Sequence, residues 1–204
     1  MTDWLVMLDN GHGQETHGKR SPDGELLEYK WNRDCCAKVI EHLDKLGIPY
    51  YVVTPELNDI SLSTRVSRAN AKYLENNKKA FFISIHVNAA GNGDEWKNAT
   101  GWSVWTSKGQ TAGDKLANKL AEAADIVFPP LGKKVRKDMS DGDPDYEANF
   151  TVVKKTNCPA CLVENFFMDN KEDKEWLLSE QGLNACADVI VYGILNYISC
   201  QEQN

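Results

Sequence analysis

Trp4-Leu-Val-Met-Leu-Asp-Asn-Gly-His-Gly13 begins as an apolar run and ends in a polar turn in which glycines flank a histidine. The run from Trp4 to Leu8 predicts a buried β-strand, and the glycines suit a tight turn in which the backbone can approach a ligand closely. Ligands of open α/β sheets bind beyond the carboxyl ends of the strands. This stretch therefore predicts a first strand that opens into a functional crevice.

The remainder of the chain alternates short β-rich runs with amphipathic helical windows, the pattern of βαβ units. This pattern predicts one α/β domain over residues 1–204, with a twisted, mostly parallel sheet of about six strands and helices on both faces. Further strands are predicted at Tyr50 to Val53, Phe81 to His86, Trp102 to Thr106, Phe150 to Val153 and Ala160 to Val163, and helices at Glu28 to Leu46, Leu62 to Asn76, Thr111 to Val127, Lys171 to Leu178 and Leu183 to Ile198.

Two stretches resist regular assignment, and both are predicted to be long loops. Asn88 to Gly101 is rich in glycine and asparagine, and Pro129 to Asn149 contains the acidic run Asp138 to Asp145. Long loops in a compact domain are usually functional or mobile. The acidic run resembles a calcium loop only loosely, because it lacks the spacing and the terminal glutamate of a twelve-residue loop, so we expect it to be solvated.

Composition excludes several classes of function. The 204 residues are 42% hydrophobic and 26% charged, with 23 basic and 30 acidic side chains and a net charge of −7. This balance provides no broad positive field for nucleic acid or for anionic lipid heads, so neither is an expected partner. The most apolar segment, Val189 to Ile198, is shorter than the ~18–20 residues that a bilayer requires, so no membrane insertion is expected.

The cysteines and the amino-terminal residues bear on where the protein is made. Six cysteines, including the adjacent pair Cys35-Cys36, fit free thiols in a reducing compartment better than a disulfide framework. The first nine residues have no basic region and are interrupted by Asp3, so they do not read as a secretory signal. The sequence thus predicts synthesis in the cytoplasm.

Residues able to bind a metal stand where strands end. His12 follows the first strand and His86 closes the strand that begins at Phe81, so both imidazoles should reach one crevice. Two histidines and one carboxylate, with a position left for water, form a standard hydrolytic zinc site. Glu28, which opens the first helix, is the favoured third ligand, and Glu25 is its rival. Glu164 ends another strand and suits a general base beside that water.

Four motifs now make a family resemblance visible. Leu8-Asp-Asn-Gly-His-Gly13, Glu28-Tyr-Lys-Trp-Asn32, Ser84-Ile-His-Val-Asn88 and Cys158-Pro-Ala-Cys-Leu-Val-Glu164 occur in the order seen in zinc-dependent N-acetylmuramoyl-L-alanine amidases, the family often called amidase type 3. The chain resembles this family from about residue 4 to its end, and Phe167-Met-Asp-Asn170 is similar to a downstream family motif.

The resemblance implies a site and a reaction. It implies that His12, Glu28 and His86 bind one Zn²⁺ per chain and that Glu164 is the catalytic residue. The implied reaction is hydrolysis of the amide bond between N-acetylmuramic acid and L-alanine in peptidoglycan, in which Glu164 takes a proton from water and delivers it to the departing amine. A wall hydrolase made in the cytoplasm would be a phage or prophage endolysin; the alternative is a chain trimmed of its signal.

Two other functions remain open at this point. A zinc peptidase acting on ordinary peptides would use the same ligands, and a non-catalytic wall-binding module would keep the scaffold. Such a module would normally lose Glu164 or a ligand, and all four residues are present, so an enzyme is favoured.

Other conspicuous residues receive plainer interpretations. Cys158 and Cys161 match a redox motif in spacing, but they run into a strand instead of a helix N-terminus, so a redox role is not expected. His17 is expected in a solvated loop and His42 on a helix face. Two interpretations of the tryptophans stay open, since they could stack against sugar rings or simply pack a core. They are Trp96, Trp102 and Trp105.

Overall fold

A computed structural model of the protein describes residues 2–203, and a six-stranded sheet lies at its centre. The order across the sheet is β2-β1-β3-β6-β4-β5, and every neighbouring pair is parallel except β4 and β6. The predicted mostly parallel α/β sheet is thereby confirmed. The strands are β1 (Leu5–Asn10), β2 (Tyr50–Val52), β3 (Ala80–Asn88), β4 (Ser103–Thr106), β5 (Tyr146–Glu147) and β6 (Ala160–Phe167).

Helices cover both faces of this sheet. They are α1 (Glu28–Leu46), α2 (Leu62–Glu75), α3 (Ala112–Val127), α4 (Thr151–Lys154), α5 (Lys171–Leu178) and α6 (Glu180–Glu202), and a 3₁₀ turn lies at Pro129–Leu131. One core lies between the sheet and α1, α3, α5 and α6, and a smaller core lies under α2 and α4. The two cores follow the alternation of the strands: Cys161 and Val163 enter the larger core, whereas Leu162 enters the smaller one.

Local signals place the long helices where the sequence predicts them. Helix α1 ends at Gly47, whose left-handed backbone (φ 65°) directs its amide to carbonyls of the last turn. Helix α3 begins with a capping box, in which the backbone amide and the hydroxyl of Thr111 both donate to the carboxylate of Asp114. The indole of Trp31 donates to the carbonyl of Leu177 (2.8 Å), which ties α1 to α5.

Helix α6 is longer than the window expected from the sequence. By length and composition, it is the one helix within residues 2–203 that could cross a membrane, with a mean hydropathy of 1.3 in its apolar window. Of that window, 56% is buried inside the protein, where α6 packs against α1 and α3. The buried core helix of a soluble protein has the same properties, so this feature is weak evidence for a membrane span.

Two predictions about the second long loop are wrong. Phe150 to Val153 is not a strand: Phe150 caps the short helix α4, in which Val152 and Val153 pack under the sheet. An apolar β-branched run has strand propensity, but burial against the smaller core decides its conformation here. The stretch from Pro129 to Asn149 also contains a 3₁₀ turn and the short strand β5, which extends the sheet edge beyond β4.

Candidate metal centre and active site

The candidate site lies at the carboxyl edge of the three central strands. In register, Asn10 of β1 lies opposite Ile85 of β3, and His86 of β3 lies opposite Glu164 of β6. His86 and Glu164 point to the same face of the sheet, because paired residues of neighbouring strands share a face. His12 reaches the same edge from the turn after β1, at a positive φ of 61° that is uncommon for a residue with a side chain.

Glu28 comes to this edge from the first turn of α1. Its Oε1 lies 3.1 Å from Nδ1 of His86 and 3.5 Å from Nε2 of His12, and it also accepts the backbone N–H of Val87 at 3.1 Å. The carboxylate is only 1% exposed, and the two imidazoles are 15% and 20% exposed. The first helix therefore supplies a buried carboxylate to this edge of the sheet.

These three side chains could hold a metal ion. His12, Glu28 and His86 each offer a ligand atom, and all of these atoms lie within 4.8 Å of one another. The second carboxylate oxygen of Glu28, Oε2, is buried without a hydrogen-bond partner in the described part of the chain. A buried carboxylate oxygen without a donor is costly, and a cation beside it would remove that cost. Two imidazoles and one carboxylate are a donor set typical of zinc.

The protonation states suit the same role. Burial lowers the pKa of His12 to about 4, which leaves its imidazole neutral at pH 7. Burial opposes ionisation of Glu28, but the hydrogen bond with His86 and the charge on the imidazoles hold its pKa below the usual value. Burial, with a contribution from the charge of Glu28, raises the pKa of Glu164 to about 7. Glu164 is thus poised to exchange a proton near neutral pH.

Two arginines fix the turn that carries His12. The guanidinium of Arg33 donates to the His12 carbonyl at 3.1 Å, and Arg65 donates to the carbonyls of Asn10 and His12. Arg65 is itself buried against Asp9 at 2.8 Å, and Ser84 donates to the same carboxylate. These contacts hold the uncommon backbone of His12 in place, because each binds a carbonyl beside the turn.

Gly11 permits the close approach of β3 to this turn. A Cβ atom at position 11 would lie 2.4 Å from Cε1 of His86, and one at Gly13 would lie 2.1 Å from the backbone nitrogen of Asp59. The sequence predicts that these glycines let the backbone approach a ligand closely; in the structure they leave room for the His86 ring and for the backbone of Asp59.

Gly11→Ala is expected to displace His86 and to weaken metal binding at least tenfold. Forcing an extra methyl into packed space costs about 1–3 kcal/mol of folding stability, and displacing a ligand costs affinity in addition. Competitive chelation and thermal unfolding would measure the two effects. Gly91→Ala is the matched control, because its Cβ would press only on the flexible Lys97 side chain, at 3.0 Å, and would lie at an ordinary contact distance of 3.6 Å from Oδ2 of Asp169. Unchanged metal affinity in Gly11→Ala would show that the approach is unimportant.

Two cavities open onto the candidate metal ligands. One of about 420 Å³ is lined by His12 and His86 and extends towards Asp59 and Arg65. The other, of about 220 Å³, contains Glu164 together with both histidines and Lys19. Lys19 forms no ion pair with any residue that the structure describes, and its charge acts on His12, Glu28 and Glu164. Oε2 of Glu164 is buried and has no hydrogen-bond partner within residues 2–203.

The rival and secondary candidates lie elsewhere. Glu25 is 64% exposed and pairs with Lys174 at 2.7 Å, so it is not part of the group. His17 is exposed, as expected, and His42 is 42% exposed on α1, 4.0 Å from Asp188. Burial raises the pKa of Cys158 to about 12, far from a reactive thiolate, which agrees with the expected lack of a redox role.

The three tryptophans do not form one stacking platform. Trp102 is fully buried in the larger core. Trp105 stacks on Tyr146 at a centroid distance of 4.8 Å, and Trp96 lies separately below the ammonium group of Lys171. The core interpretation therefore holds for Trp102, and the three side chains lie in separate parts of the structure.

Sequence reasoning missed the residues that support the site. Lys19, Arg33 and Arg65 receive no role from the motifs, although Arg33 directly follows Asn32 and Lys19 lies between His12 and Glu28 in the chain. Asn32 also belongs to this support, since its amide donates to the Gly11 carbonyl at 3.1 Å. A positive side chain within a ligand loop is the signal that could have identified Lys19.

The fold and the site together define an α/β protein with a group of side chains that could bind a metal ion at the carboxyl edge of its sheet. Residues 6–196 match the model of the N-acetylmuramoyl-L-alanine amidase family, and the chain belongs to that family. The predictions of this family and of a hydrolytic amidase are confirmed.

Relatives and solved structures include named amidases and a phage endolysin. The chain is 26% identical over 205 residues to the endolysin of Bacillus phage SPP1, covering 98% of this chain and 68% of the relative. It is 27% identical over 228 residues to the amidase AmiC of Neisseria meningitidis, covering 96% of this chain and 53% of that protein. The N-acetylmuramoyl-L-alanine amidase of Clostridium difficile 630 superposes with a TM-score of 0.80 at 28% identity, covering 96% of this chain and 97% of that one.

Proposed function

We propose that the protein hydrolyses the amide bond between N-acetylmuramic acid and the L-alanine of peptidoglycan stem peptides, with residues 1–204 acting as one catalytic domain. In this proposal His12, Glu28 and His86 hold one Zn²⁺, and Glu164 is the catalytic residue. The observation that carries it is the convergence of the three ligand atoms within 4.8 Å, beside the cavity that holds Glu164.

Each residue has a distinct task in this mechanism. When bound, zinc supplies Lewis-acid chemistry, which polarises the scissile carbonyl and makes water a stronger acid. Glu164 accepts a proton from the attacking water and then delivers it to the departing amine nitrogen, since its pKa of about 7 allows both steps. Lys19 lines the same cavity and stabilises negative charge that develops on the carbonyl oxygen. The protein supplies position, charge and proton transfer.

Two observations support release of the enzyme from the cytoplasm as an endolysin. One is the similarity to the SPP1 endolysin. The other is the cysteines, five of which are buried thiols outside any disulfide: Cys35, Cys36, Cys158, Cys161 and Cys186. Expression in a bacterial host with and without a co-expressed membrane pore tests this. Lysis should require the pore. Lysis without it, with processed protein outside the inner membrane, would contradict the endolysin proposal.

The bond that is cleaved can be identified directly. Purified peptidoglycan incubated with the zinc-loaded protein should release free stem peptides that begin with an L-alanine amine, and mass analysis would detect them. Cleavage within the stem peptide would instead identify the peptidase alternative. Binding to the wall without any released fragment would identify the non-catalytic module.

A further inference from the structure

Strand β6 contains an extra residue directly after Glu164. His86 of β3 lies opposite Glu164, whereas Asn88, two residues further along β3, lies opposite Phe167, three residues further along β6. This shift in register is a β-bulge, a feature that is rare between parallel strands and frequent next to active sites, where it changes the direction of a side chain. The bulge thus lies where the proposed base and a proposed metal ligand face each other.

Aromatic packing holds the unusual backbone of the bulge. Phe166 has a positive φ of 58°, which is rare for a bulky residue. Its fully buried ring packs edge-to-face with Phe128 at a centroid distance of 5.0 Å and with Trp176 at 4.7 Å. Such a backbone conformation persists only where the surrounding contacts enforce it, and residues of this kind concentrate at active sites. The aromatic contacts therefore fix the bulge in β6.

Asn165, the other residue of the bulge, binds the neighbouring strand. Its side-chain amide donates to the carbonyl of His86 at 2.9 Å, and the residue is fully buried. Side chains of a regular strand stand roughly perpendicular to the sheet, whereas this one reaches a backbone atom of the next strand. One hydrogen bond thus joins the residue that follows Glu164 to the backbone of His86.

The amide oxygen of Asn165 has no comparable contact. This Oδ1 atom is buried and accepts no hydrogen bond from any residue that the structure describes. A buried polar atom without a partner lowers stability, and an apolar residue of similar size, such as leucine, would avoid that loss. Packing alone therefore does not explain an asparagine at this position, whereas the bond to His86 does.

The position of the Glu164 carboxylate depends on the backbone of β6. Within residues 2–203 this carboxylate forms no hydrogen bond and no ion pair, and its Oε2 is buried. The ring of His86, by contrast, is held by Glu28 at 3.1 Å. Because no side chain fixes Glu164, its distance from His86 is set by the way in which β6 is joined to β3 at the bulge.

We propose that Asn165 is a positioning residue, which fixes the backbone of His86 beside Glu164 and so sets the spacing between a metal ligand and the general base. This inference rests on the proposed function. In this role Asn165 acts through its two neighbours and binds neither the metal nor the substrate. A misplacement of about 1 Å can lower a catalytic rate by ~10²-fold, so the bond matters more for the rate than for stability.

Asn165→Leu and Asn165→Ala test the proposal in the zinc-loaded protein, since both remove the amide donor and leucine keeps the volume. In each variant, kcat for peptidoglycan cleavage should fall by ~10- to 10²-fold, while KM and zinc content stay near wild type. The melting temperature of Asn165→Leu should also stay near wild type, because the loss of one hydrogen bond is offset by removal of a buried unpaired oxygen. A purely structural role would instead lower stability and zinc content together with the rate.

Replacement of zinc by Co²⁺ adds a measurement that does not depend on cleavage. The visible absorption of Co²⁺ reports the geometry of its ligands, so both variants should bind one Co²⁺ per chain with a spectrum shifted from that of wild type. Asn118→Leu is the matched control, because Oδ1 of Asn118 is also buried without a partner among the described residues, but Asn118 lies in α3, which carries none of the three candidate ligands. It should keep the wild-type rate and spectrum.

Several results would overturn the positioning role. They are a kcat close to wild type in both variants, loss of metal or of the fold in both, an unchanged Co²⁺ spectrum, or an equal effect of Asn118→Leu. Wild type that binds Co²⁺ but cleaves no peptidoglycan would refute the proposed function alone, and the spectra of the two Asn165 variants would then decide whether Asn165 positions His86. Wild type that binds no Co²⁺ would refute the ligand assignment and this inference together.

Discussion

His86→Ala is expected to lower bound zinc from about one ion per chain to nearly none, and to abolish peptidoglycan cleavage. His86 contributes a ligand atom and also a direct contact with Glu28 at 3.1 Å, so its removal leaves a carboxylate that is 1% exposed without that partner. Metal-ion catalysis is worth several kcal/mol of transition-state stabilisation, so the rate should fall by ~10³ or more. Elemental analysis and fragment release would measure the two losses.

His17→Ala is the control for this variant, because His17 is exposed in the loop after His12 and belongs to no ligand group in the described residues. It should keep both zinc and activity. The triple variant of His12, Glu28 and His86 to alanine extends the test. Stoichiometric zinc in that triple variant would show that the ion binds elsewhere and would remove the basis of the ligand assignment.

Glu164→Gln is expected to lower the rate of cleavage by ~10² to 10⁴ while zinc content stays near wild type. Glutamine keeps the shape and the hydrogen-bonding reach of glutamate but cannot accept the proton of the attacking water. The melting temperature should not fall, because the charged form of Glu164 is already penalised by burial. The two variants should therefore fail differently, one with its metal and one without.

Glu25→Gln is the matched control for the proposed catalytic glutamate, since Glu25 is 64% exposed and its ion-pair partner among residues 2–203 is Lys174. It should cleave at the wild-type rate. If Glu164→Gln cleaved purified peptidoglycan nearly as fast as wild type, its role as general base would be refuted. Loss of zinc comparable to that of His86→Ala would instead make Glu164 a ligand.

The parts of the fold that the sequence predicts well are those with long periodic signals. Helix α1 begins at Glu28 and ends at Leu46 as predicted, because its apolar stripe and the stop signal at Gly47 agree. The site residues could also be predicted, since the sequence places His12, His86 and Glu164 at the ends of expected strands and parallel strands share an edge. In the structure β3 continues to Asn88 and β6 to Phe167, but the three side chains still meet at this edge. The prediction of Glu28 depended on its position at the start of α1. The structure distinguishes it from its rival, because Glu28 contacts His86 whereas Glu25 pairs with Lys174.

The remaining features depend on contacts between distant residues. Val152 and Val153 read as a strand, yet they form one helical turn because the smaller core receives them. The buried Asp145 accepts a hydrogen bond from Thr106, 39 residues away, and no local sequence pattern predicts such a distant partner. The arginine contacts at His12 likewise join positions up to 53 residues apart. The spacing of residues along the chain therefore predicts candidate metal ligands better than it predicts the residues that fix those ligands in position.

The pairing of His86 with Glu164 across β3 and β6 has a consequence for the evolution of the chain. Because side chains alternate along a strand, an insertion or deletion of one residue in the segment Ala160 to Val163 would turn Glu164 to the opposite face, among the larger-core residues. The same change in the loop from Ala89 to Gly101 would leave the pairing intact. Length variation is therefore free to accumulate in this loop, while the register that sets the proposed base beside the proposed ligands stays constant.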